Sequence, residues 1–154
     1  MFDIVLFQPE IPPNTGNVIR LCAVTGCRLH LIRPLGFQLE DRQLRRAGLD
    51  YHEYAEVQVH DRLEDYLRQR EGVRLFAYTT RATQRYNDVS YEAGDGLLFG
   101  PETRGLPEEV LATIDPQRRL RLPMLEDRRS LNLSNAVAVA AYEGLRQNGF
   151  RGMS

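Results

Sequence analysis

The sequence predicts an α/β domain, a mainly parallel sheet with helices on both faces, and three observations carry that prediction. Short apolar runs rich in Ile, Val, Leu and Phe recur along the chain. Longer segments of helical period separate them, the order expected of a buried parallel sheet covered by helices. The 154 residues suit one compact domain and are too few for two ordinary ones.

Residues 2–8 read as the first buried strand, which the Pro12-Pro13 pair stops before Asn14, a residue well placed as a helix N-cap. Val18, Leu21, Cys22 and Thr25 then recur at helical spacing, and Gly26 suits the C-terminal cap. A second strand covers roughly residues 28–33. Residues 41–48 form a short basic helix and 61–71 a longer charged one, before a strand from Arg74 to Thr79. The stretch 82–95 is polar and rich in turn residues. A buried strand, Gly96 to Phe99, leads into a loop from Gly100 to Pro107, a helix near 107–113 and a strand around 119–122. From Asn132 to about Asn148 the chain reads as a last helix, apolar on a broad face through Val137, Ala140, Ala141 and Leu145. No internal repeat, low-complexity tract or linker interrupts it.

With 42% hydrophobic and 27% charged residues, the composition is that of a soluble globular protein. No apolar run is long enough to span a bilayer, and the amino terminus lacks the basic start of a signal peptide, so a cytoplasmic location without membrane contact is expected. Cys22 and Cys27 show no CxxC pattern and are expected to be buried reduced thiols. His30, His52 and His60 lie on separate segments, and no metal site is expected. The net charge of −1 means that any RNA site must be local. All 20 basic residues are arginine. That bias favours bidentate phosphate contacts, although codon usage of a GC-rich genome explains it equally well. Arg42, Arg45 and Arg46 fall at helical spacing, and Arg118, Arg119, Arg121, Arg128 and Arg129 crowd the approach to Ser130. Both patches are candidate phosphate contacts.

In open α/β sheets ligands sit beyond the carboxyl ends of the strands, so the loops after Leu6, Tyr78, Phe99 and Leu122 should converge on one site. Three segments in or near those loops are unusual. Pro12 to Arg20 opens a helix with small polar side chains and sets Arg20 about two turns in; a plain cap at Asn14 and a surface ion pair at Arg20 would read the same way. Phe99 to Pro107 carries two glycines and two prolines around Glu102, letting a ligand approach the backbone closely. Its spacing is neither GxGxxG nor a Walker loop, so a pyrophosphate cofactor is not indicated. Arg128 to Ala138 places two hydroxyls and two amides at a helix start, where one would suffice for capping and several can hold a polar ligand.

Together these segments resemble the three signature motifs of the SPOUT class of methyltransferases. From about Asp3 to Phe150 the chain is similar to the small bacterial tRNA 2′-O-methyltransferases that modify the wobble ribose of leucine tRNAs, cytidine or carboxymethylaminomethyl-uridine. The stretches that carry the likeness are Gln8-Pro9-Glu10, Leu44 to Glu53 and Phe99 to Pro107; Gln8 stands where an acidic residue is expected. The resemblance implies a deep trefoil knot at the carboxyl end and a homodimer whose active site borrows residues from both subunits. It also implies S-adenosyl-L-methionine as methyl donor, leaving S-adenosylhomocysteine. By position, the cofactor contacts would come from Tyr78, Thr79, Gly100, Glu102, Leu122, Met124, Ser130, Leu131 and Asn135. In related enzymes the arginine matching Arg20 is cast as general base, but a guanidinium is hard to deprotonate. Arg20 is therefore assigned to the RNA phosphate and the developing alkoxide, with Asn14, Glu102, Ser130 and Asn132 orienting it and the ribose. RNA grip is expected from Arg20, Arg42, Arg45, Arg46, Arg129 and Tyr142. Two alternatives stand beside this reading: ribose methylation elsewhere in tRNA or in rRNA, and a non-catalytic RNA-binding or ligand-sensing module.

Overall fold

The computed structural model describes residues 1–45 and 57–154. Its elements, in chain order, are β1 (Asp3–Phe7), α1 (Pro12–Thr25), β2 (Arg28–Ile32), α2 (Arg42–Arg45), β3 (Gln58–His60), α3 (Leu63–Gln69), β4 (Leu75–Tyr78), β5 (Gln84–Arg85) and β6 (Gly96–Phe99). A single-turn helix α4 (Glu108–Leu111), a 3₁₀ turn (Pro116–Arg118), β7 (Arg119–Arg121) and α5 (Leu133–Gln147) complete it. Seven strands form one sheet in the order β3-β2-β1-β6-β4-β7-β5, and every pairing among the described residues is parallel.

Strand β1 lies between β2 and β6, and its side chains alternate between two cores. Ile4 and Leu6 join Val18, Ile19, Val137, Ala140 and Ala141 beneath α1 and α5. Val5 joins Tyr66, Leu98, Leu106 and Leu111 on the opposite face. Both faces of the sheet are therefore covered, which is why the strands read as continuous apolar runs rather than alternating ones. Cys22 and Cys27 are buried and unpaired, as expected, and burial pushes the Cys22 thiol far above its ordinary pKa.

At the amino ends of the strands the fully buried Asp3 accepts hydrogen bonds from Arg28 Nε (2.7 Å), Arg70 Nε (2.8 Å) and the Tyr66 hydroxyl (2.9 Å). Burial works to raise its pKa. The His30 ring nitrogen 3.8 Å away and the three donors outweigh that effect and hold the carboxyl well below the usual carboxylate range. Beside this cluster, where the Asp3 N–H donates to the Asp95 carbonyl (2.9 Å), the loop of residues 79–95 is fastened to the end of α5. Tyr91 N–H donates to Gln147 Oε1 (2.8 Å), Gln147 Nε2 to the Val89 carbonyl (3.0 Å) and Asn148 Nδ2 to the Tyr91 carbonyl (3.0 Å).

Several boundaries differ from the sequence reading. Helix α1 begins at Pro12 rather than after Asn14, with Ile11 as N-cap, because proline's fixed φ and missing N–H cost nothing in a first helical turn. Gly26 does cap its end, in the left-handed region at φ 78° with its N–H on the Cys22 carbonyl. Strands β3 and β5 were not expected, being short, half-polar pieces at the sheet's two edges. The basic helix is described only over Arg42–Arg45, and the remainder of the expected span, to residue 48, lies outside the described residues.

Candidate functional site

The carboxyl ends of β4, β6 and β7 open onto a cavity of about 700 Å³. It is walled by the loops that follow Tyr78, Phe99 and Leu122, together with Ile11 and Asn14 from the start of α1 and Leu133 and Ala136 from the start of α5. The expected convergence of loops on one site is thus present. A smaller recess of about 250 Å³ lies at the opposite, amino end of the strands. Its two arginines are engaged there by buried carboxylates, Arg70 by Asp3 and Arg74 by Asp95, the latter through two hydrogen bonds of 2.9 and 2.8 Å.

One hydrogen-bonded network joins the three unusual segments along the wall of the large cavity. The Glu102 carboxylate accepts from the Glu10 N–H (2.8 Å), the Ile11 N–H (2.8 Å) and Asn14 Nδ2 (3.2 Å). It therefore caps the entry to α1, where no local side chain does so. Because the Asn14 amide donates to that carboxylate, its oxygen faces the other way and accepts from Asn132 Nδ2 (3.0 Å). The Asn132 oxygen in turn caps α5, accepting from Ser134 N–H (3.0 Å), Ser134 Oγ (2.6 Å) and Asn135 N–H (3.3 Å). Every polar atom of this chain is committed in a single direction.

A reciprocal contact locks the same loop from the other side. The Glu10 carboxylate accepts from Thr103 N–H (2.9 Å) and Thr103 Oγ (2.8 Å), and these bonds hold it below its ordinary pKa. Gly100 makes the fold-back possible: a Cβ there would sit 2.3 Å from the Leu106 nitrogen. Across the mouth, Arg81 pairs with Glu108.

Tyr78 stacks on Phe99 with ring centroids 4.5 Å apart, and its hydroxyl donates to the Tyr91 hydroxyl (3.0 Å). Burial raises the phenol pKa well above its usual value. Among the described residues no three His, Cys, Asp or Glu side chains gather as a metal site would require. The cavity therefore offers hydroxyls, amides, backbone groups and arginines around an apolar floor, a lining suited to orienting an organic ligand.

Residues 1–142 match the SpoU rRNA Methylase family. This chain belongs to that family. The tRNA (cytidine(34)-2′-O)-methyltransferase of Methylovorus glucosotrophus (strain SIP3-4) is 60% identical over 152 residues, 99% of each chain. A solved structure described as giving structural insights into the 2-OH methylation of C/U34 on tRNA superposes with a TM-score of 0.90 at 49% identity, covering 98% of both chains. An AdoMet-bound rRNA methyltransferase from Sinorhizobium meliloti superposes at 0.81 with 25% identity, covering 94% of this chain and 56% of that one.

In this SpoU-family chain, Asn14, Tyr78, Thr79, Gly100, Glu102, Leu122, Met124, Arg129, Ser130, Leu131 and Asn132 all line the cavity. Asn135 does not; its N–H serves the α5 cap. Arg20 lies six residues beyond Asn14 on α1, about 9 Å along the helix axis, half-buried and off the cavity wall. Arg42 on α2 and Tyr142 on α5 are exposed and also off the wall. Arg46, most of the Leu44 to Glu53 stretch and the Arg45 side chain lie outside the described residues. The sequence reading missed Ile11, Arg81 and Arg104 as lining residues. Arg104 stands inside the singled-out Phe99 to Pro107 loop, so its position was available as a signal.

Proposed function

We propose that this SpoU-family protein transfers the methyl group of S-adenosyl-L-methionine to the ribose 2′-hydroxyl of the wobble nucleotide, cytidine or carboxymethylaminomethyl-uridine, in the anticodon loop of leucine tRNAs. The observation that carries this reading is the Glu102–Asn14–Asn132 network, which commits three distant segments to one cavity. At about 700 Å³ the cavity falls in the range of cofactor pockets, and its mixed polar and apolar lining fits an adenine, a ribose and an amino acid without phosphate groups.

When bound, S-adenosylmethionine supplies an electrophilic methyl on a sulfonium. Thr79, Gly100, Leu122, Met124 and Leu131 hold the cofactor through backbone groups and apolar contact, with Glu102 and Asn132 fixing the loops that carry them. Ser130 presents its hydroxyl to the ribose, with Asn14 orienting it through the loops it ties together, so that the 2′-oxygen meets the methyl in line. A ribose hydroxyl is far too weak an acid to ionise freely, so its proton would pass to solvent water as the oxygen takes the methyl and the sulfonium becomes a neutral thioether. The alkoxide that develops needs a positive charge beside it. Arg20 supplies that charge and grips the adjacent phosphate through the fixed fork of its N–H donors.

The reading includes a homodimer and a knotted carboxyl end in a cytoplasmic protein. Arg20, Arg42 and Tyr142 lie off the cavity wall of their own chain, which supports a site completed by two subunits. Leu131, Val139, Tyr142 and Phe150 are large apolar or aromatic residues that stand 39–43% exposed, as an unpaired subunit face would leave them. The fastening of residues 89–91 around the end of α5 supports a threaded path for the last helix. Transfer from labelled S-adenosylmethionine to total tRNA, followed by nucleoside analysis, tests the chemistry. Label in 2′-O-methylcytidine and 2′-O-methyluridine derivatives is expected; label in a base contradicts ribose chemistry, and label in rRNA alone moves the protein to the rRNA alternative.

A further inference from the structure

Three arginines line the cavity, and they are not equivalent. Arg81 is engaged by the Glu108 carboxylate. Arg129, in the approach to Ser130, has no ion-pair partner among the described residues and already belongs to the expected RNA contacts. Arg104 is the distinctive one. Its Nη2 donates to the Gln8 side-chain oxygen at 3.3 Å, while the nearest carboxylate oxygen, on Glu10, is 3.9 Å from its Nε. The other Glu10 oxygen is occupied by Thr103. The Gln8 amide therefore orients the guanidinium, its ion pair with Glu10 is long, and 62% of the side chain remains exposed.

Hydrogen bonds hold the backbone on both sides of this contact. Gln8 sits in the left-handed region at φ 52°, and its N–H is tied to the Ile32 carbonyl at 2.9 Å. Pro9 is held by the Gly36 N–H on its carbonyl, also at 2.9 Å. On the other side, the Glu10–Thr103 clamp and the turn from the Pro101 carbonyl to Gly105 N–H (2.8 Å) fix the backbone on both sides of Arg104. A guanidinium held at its root, touched by an amide and open on its remaining donors is arranged for a singly charged oxyanion.

We infer that Arg104 is a contact for an RNA phosphate beside the target ribose, with Gln8 setting its orientation. This rests on the proposed RNA substrate: a strand that presents a 2′-hydroxyl to the cavity necessarily brings the adjoining phosphodiester to its mouth. The other anion that could reach Arg104 is the carboxylate of the amino-acid cofactor, and separate measurements distinguish the two.

The test compares wild type, Arg104→Ala, Arg104→Lys and Gln8→Glu, measuring tRNA binding against salt, S-adenosylmethionine binding by calorimetry, and methyl transfer. Arg104→Ala is expected to weaken tRNA binding about tenfold and to reduce the slope of log affinity against log salt by about one, with cofactor affinity unchanged. Arg104→Lys should keep the slope and lose part of the affinity. Gln8→Glu should weaken tRNA binding in the same direction, because a carboxylate there pairs with Arg104 and competes with phosphate. An unchanged slope in Arg104→Ala overturns the inference, and so does a loss confined to S-adenosylmethionine binding, which would put Arg104 on the cofactor carboxylate. If the wild-type protein transfers no methyl to tRNA, the proposed function itself falls; if it does and Arg104→Ala matches it in all three measurements, only this inference falls.

Discussion

Glu102 shows how one carboxylate can organise a site without reacting in it. Its two oxygens take three donors, two of them backbone N–H groups at the entry to α1. Glu102→Gln would turn one acceptor into a donor facing an N–H group. It should cost roughly 2 kcal/mol of stability, measurable by urea unfolding, and lower cofactor affinity in the same variant. Arg20 makes the opposite case. Arg20→Ala should nearly abolish methyl transfer while cofactor affinity by calorimetry is largely kept; lost cofactor binding would give Arg20 a different role. At this scale the sequence was informative about residue type and less so about direction. Asn14 was read as a cap and as one of the residues orienting Arg20 and the ribose; it does not cap α1, and its amide bridges Glu102 and Asn132. Such a bridge spans 118 positions of chain and leaves no local pattern. Gln8 looked like a neutral departure from an acidic position, and only the approach of Arg104 gives it meaning.

The strands and helices follow from burial on two faces. Leu98 is fully buried, and its backbone position lies between Val5 of β1 and Ala77 of β4 in register. Leu98→Ala should cost roughly 3 kcal/mol, read as a lower urea midpoint with an unchanged slope. Asp3 ties β1 to β2 and α3 through Arg28, Arg70 and Tyr66. Its folded pKa is depressed, so the unfolded chain binds the proton more readily as acid is added. The stability it contributes is present above the ordinary carboxylate range and is lost as pH falls below about 4. Asp3→Asn should therefore be less stable at pH 7 by roughly 3 kcal/mol and show a flatter decline into acid. Long apolar runs such as Gly96–Phe99 and the span of α5 were legible because period and capping agree there. The edge strands β3 and β5 were not, since three- and two-residue pieces rich in polar side chains owe their pairing to the neighbouring strand.

For the whole molecule, the near-neutral net charge confines RNA attraction to local arginines. Affinity for tRNA should fall steeply as salt rises, and salt-insensitive binding would remove the arginine patches from the account. The class of fold was readable from alternating runs and helical segments, and the meeting place of the loops from the general rule for open sheets. The proposed knot and homodimer have no such signature, because both would depend on which already formed surfaces meet. The central claim is that this SpoU-family chain methylates a ribose hydroxyl at the wobble nucleotide. It is tested most directly with a leucine tRNA carrying a single 2′-deoxy substitution at that nucleotide. Purified protein and labelled S-adenosylmethionine should mark the unsubstituted tRNA with one methyl and leave the deoxy tRNA unlabelled. Equal labelling of both tRNAs would contradict the account.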